Sequence, residues 1–254
     1  IDQGFMGVAQ SVQKLAGFSD RAGAHPSNGR DIGVQIQGDF LKNNAGRNLI
    51  HYQVGVFDGQ GINVKDVDQQ KNIIGGVWVM PMDGLRLGWF GWTGSYARKG
   101  TWTDAPGLSQ SGIRSLQQRR YAFSAEYKAD DWTVRSEYVH STGYAFAKPI
   151  ANTNDEAAHD CNISADGSKA QGVYALVIAP IIPKKFHAKA RYDMYRPSDG
   201  AQKQRTQYDL GLDYEFNKNL ELSGIYSYVH DRSQNTPTGH PNYSMFDLEL
   251  SFRF

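Results

Sequence analysis

At the end of the chain every second residue is large and apolar: Phe246, Leu248, Leu250, Phe252 and Phe254, with Asp247, Glu249, Ser251 and Arg253 between them. A strand sends alternate side chains to opposite faces, so this pattern predicts one face suited to lipid or a core and one suited to water. The same alternation recurs upstream. Tyr208, Leu210, Leu212, Tyr214 and Phe216 alternate with Gln207, Asp209, Gly211, Asp213 and Glu215, and Phe186, Ala188, Ala190, Tyr192 and Met194 alternate with His187, Lys189, Arg191 and Asp193. Further strands are predicted near 219–230, 171–180, 132–142, 119–129, 85–97, 72–81, 48–57 and 30–40, about eleven in all.

The connections sort by length. Leu41–Arg47, Pro81–Gly84, Ala129–Asp131, Pro180–Lys185 and Asn217–Asn219 are short and rich in turn residues. Between them fall long polar stretches: Asp58–Lys71, Lys99–Gln118, Gly143–Lys169, Pro197–Arg205 and Asp231–Asn242. Strict alternation of short and long connections is the loop asymmetry of outer-membrane barrels, with short periplasmic turns and long extracellular loops; a soluble β-sandwich has no reason for it. The sequence therefore predicts an all-β fold, a transmembrane antiparallel β-barrel integral to the cell outer membrane, as a single domain over 1–254. With eleven strands the first and last run in the same direction and cannot be antiparallel neighbours. Either residues 1–29 hold a further strand or, the reading favoured by their lack of alternation, an odd number of N-terminal strands is missing. Residues 1–29 read as a loop, either exposed or folded into the lumen, and in the second case Lys14, Asp20 and Arg21 are the constriction candidates.

Composition adds exclusions. The 27 basic and 26 acidic residues give a formal charge of +1, without the basic surplus a nucleic-acid partner requires. Mean hydropathy is negative, and no apolar run of about 18 residues offers a transmembrane helix, although a barrel needs only alternate apolar positions. The single cysteine, Cys161, forms no intrachain disulfide. Tyr138, Tyr192, Tyr208, Tyr226 and Tyr228 fall toward the predicted outer ends of their strands, and Phe40, Trp132, Phe186, Phe216, Phe252 and Phe254 toward the inner ends, as two aromatic girdles.

Arg30-Asp31-Ile32-Gly33-Val34-Gln35 resembles the strand opening of the porin O and P family, the phosphate-selective porins. Tyr52-Gln53-Val54-Gly55-Val56-Phe57-Asp58-Gly59-Gln60-Gly61-Ile62-Asn63 resembles that family's next strand and glycine-rich loop. The resemblance implies a sixteen-stranded, trimeric porin narrowed by an inward-folded loop, and hence passive diffusion of small hydrophilic solutes or ions. It implies outer-membrane lipid and a homotrimer as partners, and no cofactor.

If the apolar set faces lipid, the other set lines the pore. The lining candidates are Arg86, Arg120, Glu126, Lys128, Arg135, Glu137, Lys189, Arg191, Asp193, Asp209 and Asp213. With Asp31, Asp39, Glu215, Glu221, Asp247, Glu249 and Arg253, acids outnumber bases, so the family's phosphate selectivity does not carry over. Lys189 and Arg191 with Arg135 and Arg86 form a local basic cluster unless they pair across strands with Glu137, Asp193 or Asp209. Two other readings remain: a docking or structural barrel with a plugged lumen, and a barrel enzyme. For the latter, His140, His159, His230 and His240 sit near predicted extracellular regions outside any nucleophile motif, and no catalytic residue is assigned. Asp58, Asn63, Asp66 and Asp68 do not match calcium-loop spacing, and no metal is expected. Gly75, Gly76, Gly88, Gly91 and Gly94 read as one smooth wall, a candidate subunit interface.

Overall fold

The computed structural model describes residues 31–59, 65–104, 107–148, 159–165, 167–234 and 239–253. They form one sheet of twelve strands: β1 (Gly33–Lys42), β2 (Asn48–Phe57), β3 (Asn72–Val79), β4 (Leu85–Asp104), β5 (Leu108–Ala129), β6 (Trp132–Thr142), β7 (His159–Asp160), β8 (Lys169–Ile182), β9 (Phe186–Arg196), β10 (Arg205–Asn217), β11 (Leu220–Asp231) and β12 (Asn242–Phe252). Neighbours in sequence pair antiparallel throughout, except that two-residue β7 adds in parallel to β4 and β6 pairs directly with β8. Strands β1 and β12 are the two edges and run in the same direction. No helix among the described residues is long and apolar enough to cross a membrane.

The eleven principal strands are those the alternation predicts. One face carries Val34, Ile36, Val54, Val56, Trp89, Phe123, Leu210, Leu212, Phe246, Leu248, Leu250 and Phe252, all exposed. Ridges of apolar residues pair across neighbouring strands, as Val34 with Val56 and Ile73, and Leu222 with Leu250. Exposed apolar side chains covering a whole sheet face mark a non-aqueous neighbour. The tyrosines and phenylalanines expected as girdles lie on this face, Tyr192 against Tyr208 at 5.4 Å and Tyr121 against Tyr138 at 6.3 Å among them; Phe254 lies outside the described residues.

The turn at the β5–β6 hairpin follows from its residues. Asp130 and Asp131 both have positive φ, 49° and 70°, the twist a two-residue hairpin requires and aspartate tolerates. Asp131 then accepts from the Lys184 amide at 2.5 Å and lies 2.8 Å from His187 Nε2, tying this turn to the β8–β9 turn. The Lys184 amide, opposed by slight burial and aided by His187, holds the Asp131 carboxyl below the usual carboxylate range. A depressed carboxylate contributes stability that is present above its unfolded value, near 3.8, and is lost as pH falls through the lower folded value. Asp131→Asn is accordingly expected to unfold faster than the native chain at pH 5 and to converge with it as pH falls below the lowered folded value, measured as urea unfolding rates on acidification.

One predicted connection is corrected. Lys99–Gln118 is not a loop: β4 and β5 pair without interruption out to Asp104 with Leu108. The alternation fails there because protein covers both faces. Ser95 and Ala97, on the apolar-face side, are buried beneath the β2–β3 connection, where Asp68 accepts from the hydroxyls of Ser95 and Ser115 at 3.0 and 2.8 Å. Beyond about Thr93, then, the hairpin has left the apolar layer. The stretch from Leu85 to there has the roughly nine residues a tilted strand needs to cross a membrane.

The glycine expectation is also corrected. Register divides those residues between the faces: Gly75 opposes Gly91 on the apolar face, while Gly76, Gly88 and Gly94 belong to the polar face. There a Cβ on Gly76 would meet Phe90 at 2.5 Å and one on Gly94 would meet Asn72 at 1.8 Å.

Candidate functional site on the polar face

All eleven predicted lining residues stand on the polar face. The register carries one row from Arg86 through Glu126, Arg135, Leu176, Arg191 and Asp209 to Ser227. Neighbouring rows hold Lys128, Glu137, Lys189, Asp193 and Asp213. Lys14, Asp20 and Arg21 lie outside the described residues.

The charges are not a free basic cluster. Arg191 Nε meets Asp209 at 2.6 Å, with both side chains almost wholly buried, and Lys189 pairs with Asp213 in the next row. Gln207 donates to the second Asp209 oxygen at 2.8 Å, and Ser223 donates to Asp213 at 2.5 Å. Arg135 takes Glu126, at 2.5 Å, rather than Glu137, and Lys128 lies 3.6 Å from the same carboxylate. Leu176 and Ile225 pack beside these pairs with Tyr174 and Ile178. Gly211 leaves room for Ile225, since a Cβ there would stand only 3.2 Å from its side chain.

The sequence reading missed the densest part of the site, on the long hairpin. Arg98 stands directly opposite Arg114, and Arg120 lies farther down β5. The Gly143–Lys169 connection, expected as a solvated loop, docks onto this surface. Its Phe146, Cys161 and Ile163 form a core with Tyr96, Leu116 and Trp102, and Phe146 and Ile163 make a bridge of their own. Three polar-face side chains hold its backbone: Arg98 donates to the Lys148 carbonyl at 2.5 Å, Arg114 to Cys161 at 3.0 Å and Gln118 to Tyr144 at 2.8 Å. Arg98 also lies 4.3 Å over the Phe146 ring, and Arg114 5.1 Å over Trp102. Planar guanidinium suits both jobs, stacking through its face and donating through its edge. Asp160 is held below the usual carboxylate range by the Asn162 amide and Lys148, which clamps the two described limbs of the loop together. The available signal was Arg98, Arg114 and Arg120 at even positions on either side of a glycine-bearing tip, but neither strand extension could be read from alternation.

Cys161 is fully buried, and that burial pushes its thiol up. Thiol alkylation therefore reports docking of the loop. Native protein is expected to react slowly with a maleimide, and Phe146→Ala or Arg98→Ala to react about tenfold faster or more, because either removes contacts that keep the loop down. Equal rates would mean that the loop is held elsewhere.

The enzymatic and metal alternatives find no assembled centre among the described residues. His140 stacks near Tyr121 at 5.2 Å on the apolar face, His159 belongs to β7, and His230 pairs with Asn242. Asp58 and Asp66 both hold Lys71, at 2.7 and 2.5 Å. No group of three metal-binding side chains forms among the described residues.

No family model matches the sequence, and no curated protein matches it. Solved structures do. A loop L8 deletion mutant of OmpT, an outer membrane protein of Vibrio cholerae, superposes with a TM-score of 0.55 over 99% of this chain and 69% of that one, at 13% identity. In-vitro folded OmpT of the same organism gives 0.49 over 98% and 70%, also at 13% identity. The beta domain of the Bordetella autotransporter BrkA gives 0.34 over 87% and 89%, at 12% identity. At 13% identity the superposition on the OmpT deletion mutant is a likeness of fold. Together with the exposed apolar face it makes the chain an outer-membrane β-barrel protein, integral to that membrane.

Proposed function

We propose that this outer-membrane β-barrel protein is a porin, giving passive diffusion to small hydrophilic solutes and ions along its polar face. The observation that carries the proposal is a polar face continuous from β1 to β12, with a loop docked on it at the end opposite the short turns. Facing inward, that loop narrows the mouth, and the arginines that hold it are taken up by its backbone and by aromatic rings. The resemblance to the porin O and P family supports the same reading.

Selectivity follows from how the charges are arranged. On β9 and β10 acids and bases neutralise each other within the wall, which leaves a weak net field. Arg86, Arg98, Arg114 and Arg120 gather on the β4–β5 wall, while Asp31 and Asp39 stand at the β1 edge. The full-length protein in a planar lipid bilayer is expected to show stepwise conductance, with a reversal potential near zero under a salt gradient. Absence of steps from folded protein would overturn the porin reading in favour of a plugged or docking barrel.

A further inference from the structure

We infer that the polar face carries a binding station for small aromatic carboxylates, built from Arg86, Trp78, Phe90 and His51; the inference rests on the reading that this face lines an aqueous lumen. The four belong to adjacent strands and to the membrane-spanning part of the wall. Trp78 and Phe90 meet edge to face, 4.5 Å between centroids at 83°, and His51 lies 5.1 Å from Trp78 on the other strand. Over the indole, 4.7 Å from its centroid, sits the Arg86 guanidinium. The rings are half-buried and Arg86 is exposed.

Two features distinguish this cluster from ordinary wall packing. First, glycine opposes each ring: Trp78 pairs with Gly88 and Phe90 with Gly76. A Cβ on Gly88 would meet Trp78 at 3.1 Å and Phe90 at 3.2 Å, so the rings occupy space that side chains would fill and lie down on the wall. Second, the carboxylates nearest Arg86 are engaged elsewhere. Its cross-strand neighbour Glu126 holds Arg135 at 2.5 Å, and Asp39 holds His51 at 2.7 Å. Among the described residues no carboxylate forms an ion pair with Arg86, whose guanidinium rests on the Trp78 ring. A carboxylate takes the guanidinium fork through two charge-assisted hydrogen bonds, and an attached aromatic ring lies against the Trp78–Phe90 pair in the offset or edge-on geometry that aromatic groups prefer. A second arginine over a tryptophan, Arg120 over Trp92 at 4.9 Å, stands farther along the same hairpin but is buried. The exposed Arg86 is therefore the station open to solute.

The test uses the full-length barrel and three sodium salts: benzoate, acetate and cyclohexanecarboxylate. In planar bilayers benzoate is expected to reduce the chloride current at concentrations where acetate and cyclohexanecarboxylate do not, and Arg86→Gln or Trp78→Leu to weaken that block about tenfold, the scale of one lost charge-assisted pair. Saturation-transfer NMR on the detergent-folded protein, which needs no conduction, is expected to show contact with benzoate and none with acetate. Benzoate contact without conductance steps would sink the porin reading and leave the station standing. Steps in chloride with equal effects of all three salts, or benzoate block unchanged in Arg86→Gln, would overturn the station and leave the porin.

Discussion

Asp209→Ala is expected to destabilise the barrel by about 3–5 kcal/mol, the cost of leaving a buried charge without its partner. Asp209 has no exposed side-chain surface, and Arg191 keeps 7%. Alanine removes the carboxylate 2.6 Å from the guanidinium and also the acceptor of Gln207. Water cannot readily replace either beneath the neighbouring Leu176 and Ile225. Urea unfolding of the protein folded in lipid vesicles measures the loss. The paired change Asp209→Leu with Arg191→Met is expected to recover most of it, because replacing both charges by apolar groups removes the desolvation penalty along with the attraction. A single-variant loss below about 1 kcal/mol would mean that this part of the wall is wet and its ion pair screened.

The next residue gives the complementary prediction. Leu210 is 64% exposed, near the middle of β10 on the apolar face. Leu210→Arg is expected to cost about 2–4 kcal/mol in the same vesicle assay, as a cation held at the depth of the hydrocarbon. Phe252→Arg, at the end of β12, is expected to cost about 0–1 kcal/mol, because there a long side chain reaches the headgroup region. Were this face in water, Leu210→Arg would change stability by roughly 0.5 kcal/mol or less, as surface substitutions do. The two neighbours thus fail for opposite reasons, one by losing a charge and one by gaining it. Together they test the assignment of both faces.

The faces themselves were legible because a strand has a side-chain period of two, and a lipid-facing wall must be apolar at every second position to satisfy it. Register was not legible. Arg135 has Glu137 two residues away on its own face, yet it pairs with Glu126, its cross-strand neighbour. Only strand pairing specifies that choice. The long β4–β5 hairpin escaped for a different reason. Where the β2–β3 connection covers one face and the Gly143–Lys169 loop the other, Ser95 and Ala97 replace large apolar residues, and the signal that marks a strand beside lipid disappears.

The sequence by itself determined the class of fold, the number and place of the eleven principal strands and which residues share the polar face, since these follow from local alternation and turn chemistry. Tertiary structure alone decided what those residues do there. It brought Phe146 and Cys161, isolated apolar residues without periodicity, onto Tyr96 and Leu116, turned Arg98 and Arg114 into clamps on a loop, and set Arg86 over Trp78 while its neighbouring carboxylates were taken up elsewhere. Apart from Arg86 over Trp78, which spans one hairpin, these are contacts between positions far apart in the chain; all are fixed by register or by docking, and no local pattern encodes either.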